Sequence, residues 1–299
     1  MTKPGFQDVL PLSPLQEGLL FHSVYSERSL DIYTARICLD LEGDLDVAAM
    51  RASVASLLER HPNLRAAFRY ERLSRPVQLI PRDVALPWQE FDLRDLPEEQ
   101  RAERLEEHTA AESERTFDLT RPPLLHFTLI HHGEGRHRLI LAHHHILLDG
   151  WSVGRLMTDL FTLYAAGGDA SGLPPVTPYR DYLAWLARQD RPAAEEAWRT
   201  VLAGVEEPTR LVSEGPEAAV APDRLLVEVP AGLSRALTET ARKHDLTLNT
   251  VFQGAWAVVL GRLTGRDDVV FGGTVSGRPA DSPGVENVIG LFINTLPVR

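Results

Sequence analysis

Segments with the two-residue period of a strand and segments with the three-and-four spacing of a helix alternate along this chain, and that interleaving restricts its fold more than any other feature. A chain patterned in this way folds as α/β or mixed α+β, with sheets packed against helices. Ser13 caps a predicted helix through Gln16, Leu19, Leu20 and Val24, with Pro14 at the tolerated first helical position. Ile32 to Leu41 alternates as a half-buried strand. Asp46 to Glu59 places Val47, Met50, Val54, Leu57 and Leu58 on one helical face, and His61-Pro62 ends it. Ala66 to Tyr70 and Pro76 to Ile80 read as a hairpin, and Glu98 to Ser113 as a charged surface helix. Leu124 to His131 and Arg138 to His145 are strands joined by the turn Gly133-Glu134-Gly135, and Val153 to Tyr164 resumes helical spacing.

Gly167 to Pro178 holds three glycines and three prolines in twelve residues, the densest punctuation in the chain. A boundary there divides residues 1–175 from residues 176–299. Beyond it, Tyr179 to Leu202 is helical with an interruption near Arg191-Pro192, Glu206 to Pro222 is loop-like, and Leu225 to Val229 is a strand. Two helices follow, Leu233 to Asp245 and Asn249 to Leu263, then a strand from Asp268 to Val275. Val288 to Arg299 is an apolar, strand-like run that stops without a turn or polar tail, so the chain reads as cut short.

Composition narrows the function classes. A net charge of -11 disfavours a nucleic-acid partner, whose phosphates call for clustered Lys and Arg. No membrane-length apolar run and no secretory leader over Met1 to Gln16 are visible, which points to the cytoplasm. Cys38 is the lone cysteine and reads as a small buried residue, without a disulfide or thiolate metal site.

The chemistry concentrates at His143-His144-His145. Strand alternation sends His143 and His145 to one face and His144 to the other, so the three cannot converge on a metal without further ligands. A core histidine satisfied by hydrogen bonds is the bland reading. Asp149 and Gly150, directly after an apolar run, mark a tight turn beside the histidines, which leaves both that reading and a site open.

His144-His145-Ile146-Leu147-Leu148-Asp149-Gly150 resembles the signature of the condensation domains of nonribosomal peptide synthetases. Its core, His145-x-x-x-Asp149-Gly150, is similar to the wider superfamily that includes chloramphenicol acetyltransferase. Four further segments resemble the family's motifs in order: 13–18 (SPLQEG), 60–68 (RHPNLRAAF), 179–185 (YRDYLAW) and 289–299 (IGLFINTLPVR). The resemblance spans essentially the whole chain, although a complete member is longer and carries two more motifs.

The resemblance implies an α/β (α+β) two-layer sandwich, with two chloramphenicol-acetyltransferase-like lobes in a V-shaped pseudo-dimer, the second lobe incomplete. It implies amide formation between a donor acyl or peptidyl thioester, of L configuration, and an acceptor aminoacyl thioester. Both substrates would ride on the 4'-phosphopantetheine arms of donor and acceptor carrier proteins, beside an adenylation domain, with no directly bound cofactor or metal. His145 is the implied catalytic residue, as base or as the group that positions the amine. Asp149 is implied to pair with Arg65 and set the loop, Gly150 to bring a backbone N–H to the substrate, and His144 to be structural. Gln16, Trp151, Ser276 and Asn294 are candidates for the substrate tunnel, and Ser276-Gly277-Arg278-Pro279 for a loop near it whose arginine is either at the site or simply solvated. Three other readings stand beside this one: a non-catalytic fragment, a carrier-docking module, and an epimerization-type domain of the same family. A heterocyclization domain would carry aspartates in place of His144 and His145. Little condensation is expected of the chain on its own.

Overall fold

The computed structural model describes residues 5–25, 33–211, 225–279 and 284–299. They form two compact units, Met1–Gln189 with Ser276–Ile293, and Asp190–Val275 with Asn294–Arg299.

The first unit starts with β1 (Phe6–Pro11), which sequence patterning did not reveal, and α1 (Pro14–Tyr25). Ser13 and Gln16 cap α1 reciprocally: the Ser13 hydroxyl accepts from the Gln16 amide, and the Ser13 amide donates to the Gln16 side chain. Then come β2 (Thr34–Glu42) and α2 (Val47–Arg60), capped by Asp46 through the Ala49 amide. The first residues of the expected 32–41 strand lie partly outside the described residues. Cys38 on β2 is exposed, against the expectation of a buried residue: strand alternation places it on the same face as the exposed Arg36 and Asp40. A short 3-10 turn, Pro62–Arg65, leads into β3 (Ala67–Arg69) and β4 (Val77–Pro81), paired antiparallel as the hairpin expectation required. β1 joins them in the order β1-β4-β3.

The larger sheet adds β5 (Trp88–Asp92), β6 (Leu125–Gly133) and β7 (Arg136–His144), ordered β2-β7-β6-β5. In this sheet β5 alone runs parallel to its neighbour. Both faces of the sheet are covered. Ile130 and Ile140 cluster with Leu105 of α3 (Glu98–Ser113), whereas their strand neighbours Leu129, Leu139 and Leu141 join the main core. That core is filled by Met50, Val54 and Leu57 of α2 and by Leu156, Leu160 and Leu163 of α4 (Gly150–Ala165). Each such side chain, fully buried, contributes about 1.5–3 kcal/mol.

The break expected after residue 175 does not separate these units. α5 (Tyr179–Ala187) buries Tyr179, Tyr182 and Leu183 in the first unit's core, so that unit continues to Gln189. Segment 276–293 also belongs to the first unit, with Val288, Ile289, Leu291 and Phe292 in the same core.

The second unit holds α6 (Arg191–Val201), α7 (Ala231–Lys243), α8 (Leu248–Thr264) and the antiparallel pair β8 (Phe271–Val275) and β9 (Asn294–Val298). Thr247 caps α8, and Gly265, in the left-handed region at φ 68°, terminates it. Two strand expectations fail here. Leu225 to Val229 has no ladder partner among the described residues, and Leu225 is 89% exposed. The run from Val288 to Arg299 divides into a buried irregular half in the first unit and β9 in the second. Among the described residues no helix is long and apolar enough to cross a membrane.

Candidate active site

β7 ends at His144, and the chain leaves the sheet through a turn that reaches α4 at Gly150. Alternation persists to that end. His143 and His145 lie together with ring centroids 5.5 Å apart, whereas His144 is turned toward Tyr33 and Ser23. His144 is fully buried, its Nδ1 accepting from the Ile146 amide at 3.0 Å and its Nε2 lying 3.4 Å from the Ser23 hydroxyl. A neutral ring supplies one acceptor and one donor, so both of its nitrogens are in use.

His145 is only half-buried. Its Nδ1 faces the Leu148 carbonyl at 3.4 Å, so the ring proton on that atom can donate there, which leaves Nε2 as an acceptor. Burial pulls the imidazole below its ordinary value and His144 adds to this, while the Leu148 carbonyl and Asp149 oppose it. The neutral, proton-accepting form therefore prevails at neutral pH.

Asp149 is the hinge of the loop. Its Oδ1 caps α4 by accepting from the Ser152 amide at 2.9 Å, and its Oδ2 accepts from the amides of Phe292 and Ile293 at 3.0 and 3.2 Å. Its own amide donates to Gly290. The carboxylate thus ties the motif to segment 276–293 within the first unit.

The cation beside Asp149 is Arg278, not Arg65. Arg278 Nη2 lies 3.6 Å from Asp149 Oδ1 and donates to the Ser152 hydroxyl at 2.8 Å, with its guanidinium 3.9 Å from the Phe292 ring centre. Other Arg278 bonds go to the carbonyls of Val285 and Val288, so this arginine is not the solvated one that its loop position allowed. Arg65 ends the 3-10 turn before β3, and its head group donates to Gln7. Local geometry explains the choice. Gly277 has φ 63° and its Cα packs where a Cβ would lie 1.8 Å from the Phe292 carbonyl, so only glycine lets the chain deliver Arg278 to this place.

Gln16 supports the loop from the other side, being buried, with its Nε2 donating to the Ile146 carbonyl at 3.0 Å and its Oε1 accepting from Gln78. Gly150 is the first residue of α4, and beyond its chain neighbours and its own helix backbone a Cβ there would meet nothing within 4 Å. Trp151 is 63% exposed and donates to the Glu286 carbonyl at 3.0 Å. Ser276 is exposed, its hydroxyl accepting from the Arg278 amide. Asn294 belongs to the second unit, where it opens β9 opposite Val275.

Sequence reasoning missed Arg278 as the partner, and also Ser152, Asn63 and Tyr179 as supports. The Ser152 hydroxyl donates to the Gly290 carbonyl and accepts from its amide; Asn63 donates to Ile289, and Tyr179 to Leu291. Ser152 three residues after a capping Asp was the one local signal available. Among the described residues no group of three or more His, Cys, Asp or Glu is placed to hold a metal.

The chain is 42% identical over 302 residues to a linear gramicidin synthase of Brevibacillus parabrevis, covering 99% of itself and 4% of that relative. It therefore spans a small part of the curated relatives it matches. Its fold is similar to the first condensation domain of the calcium-dependent antibiotic synthetase, solved with a substrate analogue (TM-score 0.75, 22% identity, 97% of this chain and 69% of that one). It is also similar to the X-domain solved in complex with OxyB from teicoplanin biosynthesis (TM-score 0.77, 26% identity, 100% of this chain and 66% of that one). The condensation-domain family matches residues 6–299, and the chain belongs to that family.

Proposed function

We propose that this chain forms amide bonds in the cytoplasm between a donor acyl or peptidyl thioester of L configuration and an acceptor aminoacyl thioester. Both substrates ride on the phosphopantetheine arms of carrier proteins, within a synthetase that also holds an adenylation domain. The observation that carries this reading is the His145 ring, half-buried, held at Nδ1 by the Leu148 carbonyl, with Nε2 left as an acceptor on a loop fixed by Asp149.

The acceptor amine attacks the thioester carbonyl carbon, forming the C–N bond and a tetrahedral oxyanion. His145 Nε2 holds the amine and takes its proton as the bond forms. Collapse of the oxyanion breaks the C–S bond, and the proton leaves with the thiolate as a free thiol. The first-turn amides of a helix lack intrahelical acceptors, so the Gly150 N–H at the start of α4 is suited to the oxyanion. Asp149 and Arg278 hold the loop and stay out of the proton transfer.

The test is product formation from loaded donor and acceptor carriers, measured in the parent synthetase. His145→Ala is expected to lower condensed product by about 10²–10⁴ while loading of the carriers continues, and condensation at the wild-type rate would refute the assignment. A second reading, docking of a partner without catalysis, is favoured by the likeness to an X-domain that was solved as a complex with OxyB. An inactive wild-type domain that still binds a partner protein would support it.

A further inference from the structure

The triplet contains a third imidazole that takes no part in the amide-forming steps. His143 lies on β7 between Ala35 of β2 and Leu125 of β6, and it is 1% exposed. Neither of its ring nitrogens has a hydrogen-bond partner among the described residues. Leaving a buried polar group unsatisfied is destabilising, a cost that an aromatic hydrocarbon at this place would avoid. The ring lies tilted by 44° beside His145, at 5.5 Å between centroids.

We propose that His143 is a positioning residue for His145, whose unshared nitrogen lone pair stabilises the His145 imidazolium that forms as the amine loses its proton. This rests on the amide-forming reading above. No partner among the described residues fixes the tautomer of His143, so its proton can sit on either nitrogen and leave the lone pair on the other. In the resting state that lone pair is unsatisfied and His145 is neutral; in the transition state His145 carries a proton and the two rings attract. An interaction made only in the transition state raises the rate without tightening ground-state binding.

The surroundings fit the assignment. Burial, with the two neighbouring histidines adding to it, pushes His143 down to about 3, so it stays neutral and cannot repel the imidazolium. The titratable groups around His145 are His143 and His144 from its own strand, Tyr33 from the strand start beside His144, and Asp149 from the loop. Of these, Asp149 already accepts three backbone amides and faces Arg278, which leaves the His143 lone pair as the one acceptor not otherwise engaged among these described residues.

The test is a histidine-ring NMR titration of the chain with His143→Phe and His143→Gln, together with condensation kinetics in the parent synthetase. Phe keeps the dry ring wall and removes the lone pair, whereas Gln returns an acceptor oxygen. His143→Phe is expected to move the His145 midpoint down by about one pH unit and to lower kcat roughly tenfold at unchanged KM. His143→Gln should restore part of both. A folded His143→Phe protein with the wild-type His145 midpoint would overturn the proposal, and so would a His143→Gln midpoint no closer to wild type than that of Phe; if Phe does not fold, Gln is compared with His143→Leu by the same criterion. The titration needs no turnover, so a midpoint that moves as expected in a protein that makes no amide would sustain the positioning role and reject the reaction.

Discussion

The two faces at the end of β7 carry the same side chain in opposite conditions. On one face His144 is fully buried with each ring nitrogen engaged, by Ile146 and by Ser23. On the other, among the described residues, His145 is half-buried and bound at one nitrogen only, beside His143, which is bound at none. A satisfied imidazole holds a loop in place; an unsatisfied one is left over for chemistry. One residue of register separates them, so a strand's two-residue period distributes support and reactivity between adjacent positions.

The largest break in this comparison is His145→Ala, expected to lower condensation by about 10²–10⁴ with unchanged thermal unfolding, read by single-turnover product analysis. Asp149→Ala comes next: it strips a buried carboxylate from three amides and Arg278, and denaturant unfolding should show a loss of about 3–5 kcal/mol. Arg278→Ala should lose nearly as much, and Arg65→Ala clearly less, because Arg65 makes no ion pair with Asp149; equal losses in chemical denaturation would contradict the pairing. His144→Ala should cost about 1–2 kcal/mol in the same experiment, with activity falling only as far as the loop loosens.

A further test sharpens the comparison through pH. His143 and His145 are both held below the ordinary imidazole value of about 6.5, so the folded state binds fewer protons than the unfolded one as the solution acidifies. Their contribution to stability is therefore present above about pH 6.5 and is lost as pH falls toward the folded values, near 3 for His143. His143→Phe should flatten that acid limb of the stability curve, measured by urea midpoints between neutral and acid pH.

Periodicity carried much of the architecture. The charged helix at Glu98–Ser113 and the strands on either side of Gly133 to Gly135 follow directly from local spacing. β5 escaped because it is five residues long, largely polar, and exists through parallel pairing with β6, a contact that no local pattern announces. Leu225 to Val229 has strand propensity without a neighbour to bond among the described residues, and propensity alone does not make a ladder. At the site, the turn at Asp149-Gly150 and the division of the histidines were legible because both are local. Arg278 was not, since a distant segment supplies it through the left-handed Gly277, and Arg65 was the nearer arginine by motif alone.

The central claim is that His145 presents Nε2 as a proton acceptor because the Leu148 carbonyl holds its Nδ1 proton. A nitrogen-15 correlation spectrum of the histidine rings at pH 7.5 or so, well above about 6.5, tests it most directly. The predicted result is a neutral His145 ring protonated at Nδ1, with an unprotonated Nε2. A neutral ring protonated at Nε2 would contradict it, since that nitrogen could then neither hold the amine nor take its proton.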